Sequence, residues 1–163
     1  MRYWLTMHWP RIEDETQIEG ETLFEDIYIQ AGRQVAGSKA EPGNRVLIYE
    51  TKRKGPLLVK ENGKLRSIRR KEGRCGIVAE REVTTRPEHR PETTPTRFLQ
   101  DKNGKEYDWE WCAKTKLLEE CGFAPFATVY KIMGPLRSGL REVTPEKYRA
   151  LLEEFKRNPP EFV

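Results

Sequence analysis

The chain opens with strict alternation. From Arg2 to Met7, Tyr3, Leu5 and Met7 share one face and Trp4 and Thr6 the other, which predicts a strand stopped by Pro10. Thr22–Gln30 is apolar in patches and suits either a strand or a short helix. The turn Glu41-Pro42-Gly43-Asn44 leads into Arg45–Thr51, read as a buried strand through Val46, Leu47, Ile48 and Tyr49. Two runs, Leu57–Lys60 and Lys64–Ile68, flank Glu61-Asn62-Gly63 and predict a hairpin, because Asn-Gly supplies the backbone angles a tight turn needs. Gly76–Val83 predicts another strand, and the proline- and threonine-rich stretch 84–97 a long loop. Phe98–Gln100 and Lys105–Trp109 flank Asp101-Lys102-Asn103-Gly104 as a second hairpin. Thr115–Cys121 is read as a short helix ended by Gly122, and Ala127–Met133 as a strand stopped by Gly134-Pro135. The last element is a helix, with Thr144 as N-cap and Pro145 in its first position. Its apolar stripe is Tyr148, Leu151, Leu152 and Phe155, and Asn158-Pro159-Pro160 ends it.

About seven short strands with few helices predict an α+β domain built on a small barrel with short helices around it. A parallel α/β fold needs a long helix between successive strands, and the pattern offers one such segment.

Composition bounds the possibilities. The 163 residues have 36% hydrophobic and 34% charged residues and a mean hydropathy of -0.82, and no apolar run nears the ~20 residues that cross a bilayer. The aromatic residues, four Trp among them, are spread through Val, Ile and Leu and suffice for a core. The first ten residues lack the shape of a secretory leader, so the reading is a cytosolic protein. Cys75, Cys112 and Cys121 fit neither a disulfide framework nor a zinc spacing. With His8 and His89 the only histidines, no metal and no cofactor is expected.

The net charge of +4 is unevenly placed. Segment 52–74 holds 10 basic and 2 acidic side chains, residues 1–51 hold 5 and 9, and residues 75–163 hold 15 of each. A basic segment inside a near-neutral domain is the footprint of a polyanion-binding face. The plainer reading is a solvated, charge-rich loop, yet mere charge abundance would bring acids along with the bases, as it does after residue 75. Lys52, Arg53, Lys54, Arg66, Arg69, Arg70 and Lys71 are the candidates for phosphate contacts, which position nucleic acid without reading its sequence. Trp109 and Trp111, on one side of an extended stretch, offer either a stacking surface or a small second core.

Five pieces in order resemble the EVE family, part of the PUA-like group that includes the YTH and ASCH folds. Tyr3-Trp4-Leu5-Thr6-Met7-His8-Trp9-Pro10 resembles the family's opening Tyr-Trp-Leu-x-Lys-Ser-Glu-Pro. Thr22-Leu23-Phe24-Glu25-Asp26 and Arg33-Gln34 stand for Thr-Leu-Trp-Asp-Gly and Arg-Asn. Glu41-Pro42-Gly43-Asn44 and Arg45-Val46-Leu47-Ile48-Tyr49 stand for its turn and second strand. Gly76-Ile77-Val78-Ala79-Glu80-Arg81-Glu82-Val83 and Leu140-Arg141-Glu142-Val143-Thr144-Pro145-Glu146-Lys147-Tyr148 match its later strand and closing helix. The match spans about half the chain; 52–72 and 84–124 lie outside it.

The resemblance implies one domain over 1–163, a PUA-like mixed β-barrel of six to seven strands. A basic hairpin is inserted at about 52–74 and a variable segment at about 84–124. It also implies a non-catalytic module that binds DNA or RNA by taking a flipped, modified base into an aromatic pocket, as readers in restriction systems do, alone or with an effector domain. The pocket positions are then His8, Trp9, Phe24, Arg33, Gln34 and Tyr49. Because Met7-His8-Trp9 replaces Lys-Ser-Glu and Phe24-Glu25-Asp26 replaces Trp-Asp-Gly, the pocket chemistry differs from the family's. Competing readings are an ASCH-like ribonuclease using His8 with Arg33, an RNA-binding module indifferent to modification, and a protein-interaction adaptor.

Overall fold

The computed structural model describes residues 1–10, 27–29, 39–52, 57–61, 63–89, 111–136 and 139–157. A six-stranded sheet organises them. Its strands are β1 (Tyr3–His8), β3 (Arg45–Glu50), β6 (Gly76–Val83), β9 (Thr115–Glu119), β10 (Ala124–Pro125) and β11 (Leu140–Val143). The order is β10-β6-β3-β1-β11, with β9 pairing the far half of β6. β1 and β3 run parallel, from Tyr3 opposite Arg45 to His8 opposite Glu50, and the other pairings are antiparallel. β2 (Ile27–Ile29), β8 (Trp111–Ala113) and β7 (Glu88–His89) form a second sheet, and β4 (Leu57–Glu61) and β5 (Lys64–Ile68) a hairpin. The expected mixed sheet is present, but open: among the described residues no pairing joins β11 to β9 or β10 and closes a barrel.

Period-two alternation gives the large sheet two apolar faces. Leu5, Leu47, Tyr49 and Ile77 pack beneath two helices, α1 (Phe126–Met133) and α2 (Pro145–Arg157). Trp4, Val46, Ile48 and Val78 pack on the opposite side with Ile27 and Ala113 of the second sheet. Trp4 therefore lies in the core, and its indole N–H donates to Asn44 Oδ1 at 3.1 Å. Asn44 Oδ1 also accepts the Glu41 N–H at 3.0 Å, so one side chain holds the 41–44 turn and ties it to β1.

The hairpin, β6 and the last helix form as the pattern predicts. Thr144 Oγ1 accepts the Lys147 N–H at 3.3 Å, the capping contact expected of it. Two elements change type. Ala127–Met133, read as a strand stopped by Gly134-Pro135, is α1, because Val129 and Met133 are four residues apart and both bury against the sheet. Thr115–Cys121, read as a helix, contains strand β9: it completes the free half of β6, with Lys116 opposite Glu82 and its ammonium 3.0 Å from the Glu82 carboxylate. Gly122 ends no helix; a Cβ there would run into the Phe155 carbonyl, so glycine permits close approach of α2. Within the expected loop 84–97, Glu88–His89 pairs with β8. The hairpin expected over 98–109 lies outside the described residues.

Candidate nucleic-acid interface

One end of the large sheet gathers the chemistry. β1 and β3 run parallel and both finish there, at His8 and Glu50. β6 runs the other way and begins there, with Gly76 opposite Glu50 on one side and Pro125 of β10 on the other. The chain between Glu50 and Gly76 is the basic segment. Topology thus attaches it, by both its ends, to the sheet end where β1 delivers His8 and Trp9.

Register and alternation put Thr6, His8 and Glu50 on the Trp4 side of the sheet, all three buried. His8 is 7% exposed, and both its ring nitrogens are shielded from solvent. Its backbone carbonyl accepts the Thr51 N–H at 2.9 Å, continuing the parallel ladder by one bond. Glu50 Oε1 accepts the Arg74 N–H at 2.9 Å, and the Lys52 carbonyl accepts the Gly73 N–H at 2.8 Å. These bonds fasten the returning end of the basic segment. Gly73 is required at this crossing: a Cβ would collide with the Thr51 carbonyl and press on the Pro10 ring.

Arg70 joins the segment to the candidate pocket. Its guanidinium lies 5.3 Å from the centroid of the Trp9 ring and donates to the Pro10 carbonyl at 2.9 Å. A planar cation over an indole face, with one N–H fixed by a carbonyl, is an arrangement that lysine cannot reproduce. Lys52, Arg69, Lys71 and Arg74 of the same segment are exposed, and Arg66 is half-buried with its Nε shielded. Arg74 was missing from the sequence candidates. Its place just before β6, in the same run of bases, was the available signal.

The structure brings Arg70 to Trp9, with the buried His8 preceding Trp9 in the chain, and it does not bring Tyr49 to them. Tyr49 lies on the opposite face of β3, 3% exposed in the helix-side core, with its hydroxyl 3.5 Å from Cys75 Sγ. Burial, then the Cys75 contact, holds that hydroxyl above the usual phenol range. Trp111 packs half-buried against the second core. Phe24, Arg33, Gln34, Arg53, Lys54 and Trp109 lie outside the described residues. Among those described, no group of three His, Cys, Asp or Glu side chains is arranged to hold a metal, and no helix is long and apolar enough to cross a membrane.

No protein-family model matches the sequence, and no curated protein does. Solved structures do match in shape. Human THYN1, in complex with DNA containing 5-methylcytosine, superposes with a TM-score of 0.56 at 11% identity, over 98% of this chain and 100% of its own. A hypothetical protein from Leishmania major gives 0.57 at 13% identity, over 96% of both chains. Rpa0253 from Rhodopseudomonas palustris gives 0.51 at 16% identity, over 96% of this chain and 94% of its own. Identities this low carry the fold alone, and the fold they establish for this chain is PUA-like.

Proposed function

We propose that this chain is a non-catalytic nucleic-acid-binding module. A flipped, modified base seats against Trp9 at the rim of the sheet end, where β1 and β3 finish at His8 and Glu50. The exposed cations of the 52–74 segment lie along the phosphates. The observation that carries this reading is the Arg70 bridge: the segment with the charge to hold a backbone is fastened to the aromatic residue suited to stack a base. That human THYN1, a protein of the same fold, is found with DNA containing 5-methylcytosine supports it. Phe24, Arg33 and Gln34 complete the proposed pocket on the strength of the sequence resemblance.

The nuclease reading is weaker on one specific ground. His8, its candidate base, is buried with both ring nitrogens shielded from solvent, a poor position for meeting a phosphodiester. The deciding experiment is a titration with matched single and double strands of DNA and RNA, with cytosine and 5-methylcytosine or adenine and N6-methyladenine at one position. Binding that weakens steeply with salt and favours one modified strand supports the proposal. Salt-insensitive binding, or cleavage of the strand, refutes it.

A further inference from the structure

The solvent side of α1 is not built like that of a helix that merely covers a sheet. Val129 and Met133 face inward, while Phe126 and Tyr130, one turn apart, stay 46% and 49% exposed. Their rings pack on each other, with centroids 5.7 Å apart and planes tilted by 44°. Polar residues would satisfy those positions if covering the core were their whole task.

Their location supplies the second observation. α1 follows directly from β10, whose Pro125 pairs with Gly76, and the Phe126 N–H donates to the Cys75 carbonyl at 3.0 Å. Cys75 is where the basic segment returns to the sheet. The aromatic pair therefore borders the same sheet end as Trp9. It is three strands away, from β10 through β6 and β3 to β1, or roughly 15 Å at the usual strand spacing. The two segments that meet there, α1 and the run leading to Cys75, carry an excess of positive charge. α1 contains no acidic residue and exposes Lys131 beside Tyr130; Arg69, Lys71 and Arg74 are exposed on the approach to Cys75, with Glu72 the one acid of 63–75.

We infer that Phe126 and Tyr130 form a stacking platform for an unpaired base that flanks the one seated at Trp9. This rests on the proposed function and extends the interface along the strand. Half-exposed rings beside cations match the two parts of a nucleotide, a flat base and an anionic phosphate. A second copy of this chain would bring the same positive charge to the patch and be repelled by it.

The test uses short single strands bearing one cytosine or 5-methylcytosine, each also made with a single abasic position walked along both flanks. Wild type should lose about 5- to 150-fold in affinity when the abasic position reaches the platform. The double variant F126A/Y130A should bind the intact strand that much more weakly and be insensitive to the abasic position. Both substitutions sit on an exposed face, and an unchanged melting curve confirms the fold. If the variant binds the intact strand as tightly as wild type, or loses as much as wild type at every abasic position, the platform is refuted while the proposed function stands. A wild type that sediments as a dimer and becomes monomeric as F126A/Y130A assigns the patch to self-association instead. Wild type that binds none of the strands refutes the proposed function, and the platform with it.

Discussion

The Arg70 guanidinium lies over the Trp9 ring at 5.3 Å while donating to the carbonyl of the next residue, Pro10, at 2.9 Å. Of the bases picked out in segment 52–74, Arg70 thus has a structural task that its neighbours Arg69 and Lys71, exposed on either side, do not share.

The two kinds of residue should fail differently. The double variant R69A/K71A is expected to weaken binding to modified and unmodified strands alike and to reduce the slope of log affinity against log salt by about two. R70A is expected to change the slope less and to erode the preference for the modified base, because Trp9 loses the group over its ring. R70K should not restore that preference. Affinities measured across a salt series, for matched strands, decide this.

Trp9→Ala should abolish most of the preference for the modified base, a loss of about 1–3 kcal/mol if a stacked ring is removed, while leaving the salt slope unchanged. A W9A variant that still discriminates between the strands would move the pocket elsewhere.

Tyr148 on α2 donates to Glu80 Oε2 of β6 at 2.7 Å in the interior, tying the closing helix to the sheet. Tyr148→Phe leaves that carboxyl without its donor and should cost about 1–3 kcal/mol in a denaturant melt, with strand binding intact. Burial, then the Glu80 contact, pushes the Tyr148 hydroxyl above the phenol range. In the unfolded chain the same group ionises near pH 10, so above that pH the unfolded state holds fewer protons than the folded one. Stability from this residue is therefore complete below about pH 10 and declines as pH rises toward the folded value, by about 1.4 kcal/mol per pH unit. Y148F should flatten the alkaline limb of the stability curve.

Glycine substitution separates packing from binding. Gly122→Ala and Gly73→Ala each place a Cβ against a backbone carbonyl, of Phe155 and Thr51 respectively. Both should destabilise by about 1–3 kcal/mol. G73A should also impair strand binding, since it moves the crossing beside Pro10, whereas G122A should not.

Cys121 is exposed, and the charge of Glu119 beside it raises its thiol above the usual range. Glu119 Oε1 accepts the Cys121 N–H at 2.8 Å and the Glu120 N–H at 3.1 Å, and these bonds lower the Glu119 carboxyl. Because the thiolate is the reactive form, alkylation of Cys121 should be slow at neutral pH and faster in E119Q. Mass spectrometry of the labelled peptide reads the rate.

Much of this molecule was legible in its residues, for local reasons. Alternation marked β1, Asn-Gly marked the β4–β5 hairpin, and Thr144-Pro145 marked the start of α2, since each depends on backbone angles and capping bonds a few residues apart. The uneven charge, too, is a property of order along the chain: the excess of bases lies in 52–74, and in the structure that stretch follows β3 and leads into β6. Other features are set by neighbours distant in sequence. The stretch 127–133 has strand-like residues and is helical because the sheet takes Val129 and Met133 from one side. Thr115–Glu119 is extended because β6 offers it a free edge. Tyr49 and Glu50 are adjacent in sequence yet face opposite cores, and only the pairing of β3 with β1 reveals that Glu50 goes with His8. Arg70 and Trp9 are sixty-one residues apart, and their meeting follows from a parallel crossover that finishes β1 and β3 at one end of the sheet. Local sequence carries the angles of the backbone; which side chains meet is decided by burial and pairing across the whole chain.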